Sequence, residues 1–302
     1  MKRPDSPSLR EALRGVRSEL DAAGVESPDV EAERLVAHVT GFARTRLALE
    51  GGTPLPAGSA AELARLVARR TAGEPLQHLE GTVEFRGLVL KSDARALIPR
   101  PETEQLIDLI ERALRPAARA GVRTVARPVG AALDIGTGSG AIALSLVAEG
   151  LVRRVVALDV SEGALSQARE NRSLCGVAED RLELRPTGAD PFEALEAAES
   201  FDLIVSNPPY VLDADVETLP REVRDHEPRA ALAGGADGLD LVRTIAARGP
   251  DHLVRGGRLF LELGADQGAA ASALFEAGRG WEDVARHLDL SGRDRFLTAR
   301  RA

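Results

Sequence analysis

From residue 131 onward, short apolar strands alternate with helical segments, and this order limits the fold more than any other feature of the chain. Residues 131–134 read as a strand, 135–140 as a glycine-rich turn and 141–148 as an apolar helix. The next strand is 155–158, followed by a helix capped by Ser161 and a third strand at 182–184. Strands separated by helices return by crossover and pair in parallel, so the expected architecture is a parallel sheet covered by helices. Residues 201–206 supply a central strand, 239–247 a helix and 258–263 another strand, and 284–287 with 295–298 form a closing antiparallel pair. The result is an α/β, Rossmann-like sheet of about seven strands.

At 302 residues the chain has room for a second, smaller unit. Residues 1–75 read as a helical N-terminal domain. Ser8 caps a helix carrying Leu9, Leu13, Val16 and Leu20 on one face, with Gly24 as its stop. Ser27 and Pro28 start a second helix closed by Gly41, and a third runs over 59–70. Residues 1–80 hold 11 Lys plus Arg against 12 Asp plus Glu, so this part is nearly neutral. It reads equally as a packing domain and as a partner-docking surface. Residues 76–100 form a β-hairpin linker, with strands at 82–85 and 88–90 around Arg86 and Gly87. The main domain then spans 101–302, opening with a helix that bears Leu106, Ile107, Ile110 and Leu114 and ends at Pro116. Residues 116–130 are expected to be a surface connection.

Composition removes several classes of function. No apolar run approaches the length of a membrane span, and the basic start lacks the apolar segment of a secretory signal, so a cytoplasmic protein is expected. The single cysteine, Cys175, allows neither an internal disulfide nor a multi-cysteine metal site. Lys2 and Lys91 are the only lysines and neither lies in a phosphate-binding loop, which excludes a P-loop nucleotidase. The five histidines form no metal-ligand pair, so no metal is expected. A net charge of −8 argues against a protein that grips nucleic acid through its phosphates.

Two stretches carry chemistry. Gly136, Thr137, Gly138, Ser139 and Gly140 let the backbone pass close to a ligand at a helix amino end, and Asp159, about twenty residues on, is placed for the hydroxyls of a ribose. The third glycine comes one residue early for a dinucleotide loop. Asp134 would repel a pyrophosphate but suits the ammonium of a methionine moiety, so S-adenosylmethionine is favoured. Asp190 is placed to accept from an adenine amino group, with Pro191 and Phe192 walling the ring; the competing reading of this pair is a turn. The second stretch is Asn207, Pro208, Pro209 and Tyr210 at the end of the central strand. Two prolines stiffen this tip. The Asn207 side chain and the Pro208 carbonyl can accept from an NH2 group, and Tyr210, the only tyrosine, can cover a flat substrate.

The ordered set comprising Phe85-x-Gly87, the run from Ile98 to Glu104, the run from Leu133 to Gly140, Asn207 to Tyr210, Glu227-Pro-Arg-x-Ala-Leu232 and Asp237-Gly-Leu239 resembles the PrmC/HemK protein-(glutamine-N5) methyltransferases. The resemblance runs from about residue 73 to 295, with a compatible helical domain before it. It implies a class I, S-adenosylmethionine-dependent fold and methylation of the glutamine amide in the Gly-Gly-Gln motif of bacterial peptide chain release factors. On this resemblance the modification would modulate translation termination. By position, residues 136–140 and Asp159 would hold the cofactor, Pro191 would face its adenine, and residues 207–210 would hold the glutamine. In one departure, some relatives carry an aromatic or large apolar residue where Pro191 stands. No nucleic-acid substrate and a monomeric state are expected. Arg100, Glu102 and Thr103 are placed for contact near the methionine end, with helix capping as the alternative for Thr103. Three other readings are an adenine-N6 nucleic-acid methyltransferase, which would need a base-flipping basic cleft, a cofactor-binding protein without catalysis, and a glutamine methyltransferase acting on ribosomal protein, which only overall family likeness separates from the release factor reading.

Overall fold

The computed structural model describes residues 6–115 and 129–302. The surface connection expected at 116–130 lies outside the described residues except at its last two positions, which begin a strand. The chain divides into two units: one holds the chain through Gly81 together with Pro220–His226, the other Thr82–Leu219 and Glu227–Ala302.

The first unit is helical: α1 (Leu9–Ala22), α2 (Pro28–Thr40), α3 (Arg44–Leu49), α4 (Ser59–Thr71) and α5 (Leu76–Glu80). Ser8 caps α1 in a reciprocal box, its side chain accepting from the Glu11 N–H while the Glu11 carboxylate accepts from the Ser8 N–H. Ser27 makes no such bond; Pro28 at the first helical turn and the left-handed Gly41 at the end set the limits of α2. Leu9, Leu20, Leu35, Val36 and Leu66 form the core. Buried Arg70 is held by Glu31 and by Glu222, at 2.9 Å, which fastens the Pro220–His226 segment to this unit.

The second unit begins with the hairpin β1 (Thr82–Phe85) and β2 (Leu88–Lys91), whose Phe85 and Leu90 are buried in its core. Then come α6 (Pro101–Leu114), β3 (Val129–Ile135), α7 (Ala141–Ala148), β4 (Val152–Asp159), α8 (Glu162–Leu174), β5 (Leu182–Pro186) and β6 (Phe201–Ser206). After a short helix, α9 (Arg221–Arg224), which lies in the first unit, follow α10 (Asp240–Arg248), β7 (Leu253–Glu262), α11 (Gly268–Ala277), β8 (Trp281–Leu288) and β9 (Asp294–Arg301). The seven-stranded sheet has the order β5-β4-β3-β6-β7-β9-β8. Its strands are parallel except β9, which runs antiparallel to both β7 and β8, as the sequence pattern anticipates.

The order reverses between β3 and β6, because the chain first builds outward through β4 and β5 and then returns to the other side of β3. Open α/β sheets bind ligands at the carboxyl ends of the strands flanking such a switch. Both strands are buried: Leu133, Ile204 and Phe201 lie in the core on one face, and Ala132, Leu203 and Val205 in the core on the other. Among the described residues, no helix is long and apolar enough to cross a membrane.

Candidate active site

β3 ends at Ile135 and β6 at Ser206, side by side, and the Ser206 hydroxyl donates to the Ile135 carbonyl at 2.6 Å. Everything beyond these two residues is loop. The turn after β3 is shaped by glycines at φ 73° (Gly136), 56° (Gly138) and 84° (Gly140), a region in which other residues are strained. Gly136 and Thr137 donate their N–H groups to the Leu158 carbonyl, and Gly138 donates to Asp159 Oδ2 at 2.8 Å. The second Asp159 oxygen accepts from Ser161 at 2.9 Å. Burial pushes the Asp159 carboxyl above its ordinary range.

A cavity of about 450 Å³ opens over these strand ends. Its lining includes Gly136, Gly138, Asp159, Pro191, Asn207 and Pro209, so the glycine turn and the proline-stiffened tip share one space. Residues 95–97 and the loop containing Ala233, Gly234 and Gly235 close its sides, with Leu241 and Thr244 of α10. The sequence marks the second of these loops as a glycine-rich cover; it gives no sign of the first, whose Arg95 is held by Asp93 and Glu170.

Other expected residues stand behind the cavity wall. Thr137 donates to Asp134 Oδ2 at 2.7 Å, Ser139 accepts from Asn171 through its carbonyl, and Gly140 packs against Ala168 of α8. Asp134 is fully buried rather than facing the cavity; burial pushes its carboxyl to about 7, and its Oδ1 has no hydrogen-bond partner among the described residues. Asp190 is likewise outside the lining. Its carboxylate caps the following turn through the Phe192 N–H and pairs with Arg248. Phe192 is a core residue stacked on His252 at 5.3 Å, which leaves Pro191 as the member of that trio in the cavity.

At the proline-stiffened tip, Asn207 Nδ2 donates to Thr103 Oγ1 at 3.1 Å, and Thr103 donates to Glu262 Oε2 at 2.8 Å. Thr103 is a buried residue in the first turn of α6, whose cap position is Arg100. Its hydroxyl therefore serves neither as a cap nor as part of the cavity lining. Glu262, at the end of β7, is 1% exposed, and burial lifts its carboxyl to about 7. No local motif signals Glu262, because its partners come from distant parts of the sequence. Tyr210 is held by its backbone: Gln267 Nε2 donates to the Tyr210 carbonyl at 2.9 Å and to that of Asp237 at 3.1 Å. Its phenol is raised by burial and then by the charge of Glu262. Arg100 pairs with the buried Glu227 at 2.7 Å, tying the start of α6 to the Glu227–Leu232 stretch.

Comparison with known proteins bears on the family and the fold. The model of the PrmC N-terminal domain matches residues 11–81, and that of the methyltransferase small domain matches residues 116–222. A release factor glutamine methyltransferase of Deinococcus radiodurans is 42% identical over 97% of this chain and 99% of its own. Proteins of the same name from Cereibacter sphaeroides (42% identical, 96% of this chain and 97% of its own) and Streptomyces coelicolor (40%, 93% of each) are similar throughout. Among solved structures, a methyltransferase from Pyrococcus furiosus superposes with a TM-score of 0.51 at 19% identity, covering 80% of this chain and 96% of that one. The METTL16 methyltransferase domain gives 0.50 at 17%, covering 80% and 95%, and both likenesses bear on the fold, which is that of class I methyltransferases. With near-complete coverage at this level of identity, the chain belongs to the release factor glutamine methyltransferase family.

Proposed function

We propose that this protein transfers a methyl group from S-adenosylmethionine to the side-chain amide nitrogen of the glutamine in the Gly-Gly-Gln motif of peptide chain release factors. It would do so as a cytoplasmic monomer, with no nucleic-acid substrate. One observation carries the reading: Asn207, whose Nδ2 is turned to Thr103 and whose Oδ1 has no hydrogen-bond partner among the described residues, lines the same cavity as Gly136, Gly138 and Asp159. The near full-length likeness to curated release factor glutamine methyltransferases supports the substrate.

The cavity suits the cofactor. Its volume falls within the range of small-molecule sites, roughly 300–1,000 Å³. The Asp159 carboxylate has about four acceptor positions and uses two on backbone N–H groups, which leaves acceptors for a diol. Gly136 and Gly138 present bare backbone, and Pro191 offers a flat apolar wall for adenine. When bound, S-adenosylmethionine supplies a methyl group already activated on a sulfonium.

The chain's own task is to hold a weak nucleophile. An amide nitrogen has a delocalised lone pair, and positive charge grows on it as it attacks. Asn207 Oδ1 and the Pro208 carbonyl would each accept one of its hydrogens, fixing the nitrogen in line and stabilising that charge. Tyr210 would lie against the amide plane and exclude water, and the proton would leave after transfer, so no dedicated base is needed. We assign residues 1–75 to docking of the release factor, 76–100 to a linker and 101–302 to catalysis.

The test is transfer of labelled methyl to purified release factor, beside a Gly-Gly-Ala version and unmethylated duplex DNA. Label that disappears with the glutamine is expected. Label on the DNA, or on neither substrate, would overturn the assignment.

A further inference from the structure

The cavity explains where Asn207 stands but not why its amide faces the way it does. A side-chain amide offers an acceptor on one side and two donors on the other, and a half-turn exchanges them. If the NH2 end of Asn207 faced the substrate, donor would meet donor. Something must choose between the two orientations, and the cavity lining holds no such group.

The choice is made behind the wall. An ionised carboxylate only accepts hydrogen bonds. Glu262 therefore draws the single hydrogen of the Thr103 hydroxyl, at 2.8 Å. With its hydrogen committed, Thr103 Oγ1 has only lone pairs to show Asn207, and Asn207 must answer with Nδ2, at 3.1 Å. Oδ1 is left on the cavity side. Both intermediaries are closed to water, Thr103 at 4% and Glu262 at 1% exposure, so no solvent molecule competes for the chain of bonds. Thr103 and Glu262 come from different elements, the first turn of α6 and the end of β7, and Asn207 from the end of β6.

We propose that Glu262 and Thr103 are positioning residues that fix the orientation of the Asn207 amide and polarise its oxygen toward the reacting nitrogen. The inference rests on the reading that Asn207 accepts from the substrate amide. Each bond in the series strengthens the next, so the Glu262 charge is felt at Oδ1. The benefit grows as positive charge develops on the substrate nitrogen. The relay should thus act on turnover rather than on binding.

Steady-state methylation of release factor, with calorimetric cofactor binding and thermal unfolding of each variant, tests the relay. Thr103→Val keeps the shape and removes the hydroxyl; kcat should fall about tenfold or more, with KM for the release factor and cofactor Kd little changed. Thr103→Ser should restore most of the turnover. Glu262→Gln, which can donate as well as accept, should lose kcat in the same way and serves if Thr103→Val does not fold. In an Asn207→Ala background, Thr103→Val should cost nothing further, because the amide it orients is gone. Wild-type kcat in both Thr103→Val and Glu262→Gln, failure of Thr103→Ser to recover, or multiplying losses in the double variant would overturn the relay alone. Asn207→Ala turning over at the wild-type rate would overturn the relay together with the functional reading beneath it.

Discussion

In the proposed reaction, Asn207 is the residue on which most of the chemistry would converge. If it accepts from the substrate amide as proposed, its truncation to Ala would remove an acceptor aimed at developing charge, for which losses of roughly 10²–10³ in kcat are typical. Cofactor affinity should move far less, since Gly136, Gly138 and Asp159 remain; a turnover that survives the change would refute the assignment. Glu262 adds a pH dependence. Its carboxyl is raised to about 7, first by burial and also by Glu102, while the Thr103 hydroxyl, Arg295 and Arg100 pull it down; Tyr210 faces it as a neutral phenol. As pH falls through about 7, Glu262 takes up a proton, becomes able to donate to Thr103, and no longer fixes the bond direction. Turnover should therefore drop on the acid side with an apparent pKa near 7. Asp134, also raised to about 7, is the rival source of that drop. Glu262→Gln should flatten the acid limb and Asp134→Asn should keep it, and the reverse pattern in rate profiles would assign the titration to Asp134.

At the scale of elements, the site depends on loops that hold each other. Gly238, at φ 73°, lies where an added Cβ would stand 2.2 Å from Gln267 Nε2 and 2.3 Å from the Tyr210 carbonyl. Gly238→Ala should cost about 1–3 kcal/mol and also lower kcat, because Tyr210 must shift. Gly256 in β7 has a similar φ of 76° and nothing within 4 Å of its would-be Cβ. Gly256→Ala should then carry the backbone cost alone, about 1 kcal/mol, with kcat kept. Denaturant unfolding and rates on both variants decide, and equal kcat in the two would show that the clamp has no role. Much of this scale was legible in the sequence. The strand ending at Ser206, the glycine turn, the Ser8 cap and the closing antiparallel pair each rest on local chemistry within a few residues. α3 was not, since six residues with Leu47 as the one buried position show no helical period. α11 was not either: its run of Gly, Ala and Ser has little contrast between faces. The Asn207–Thr103–Glu262 series is hidden for a different reason. Its members lie 104 and 159 positions apart along the chain, and they meet only where the first turn of α6 touches the ends of β6 and β7.

For the whole molecule, the question is what the first unit contributes. All the residues lining the cavity belong to the second unit, so the first supplies none of the groups assigned to the chemistry. It nevertheless has a core of its own, from Leu9 to Leu79, and near-neutral charge, which suits a surface that recognises a protein rather than a polyanion. α3 also displays Leu49 at 86% exposure, an apolar residue with no role in that core. If this unit docks the release factor, its binding energy should be felt only by substrates large enough to reach it. A short Gly-Gly-Gln peptide should then be methylated with a kcat close to that of the whole factor but a KM higher by about tenfold or more. Leu49→Asp should raise KM for the whole factor and leave that for the peptide unchanged, because the cavity is untouched. Equal KM values for peptide and protein would place all recognition in the second unit. An equal effect of Leu49→Asp on both substrates would show that the change acts through stability instead of docking.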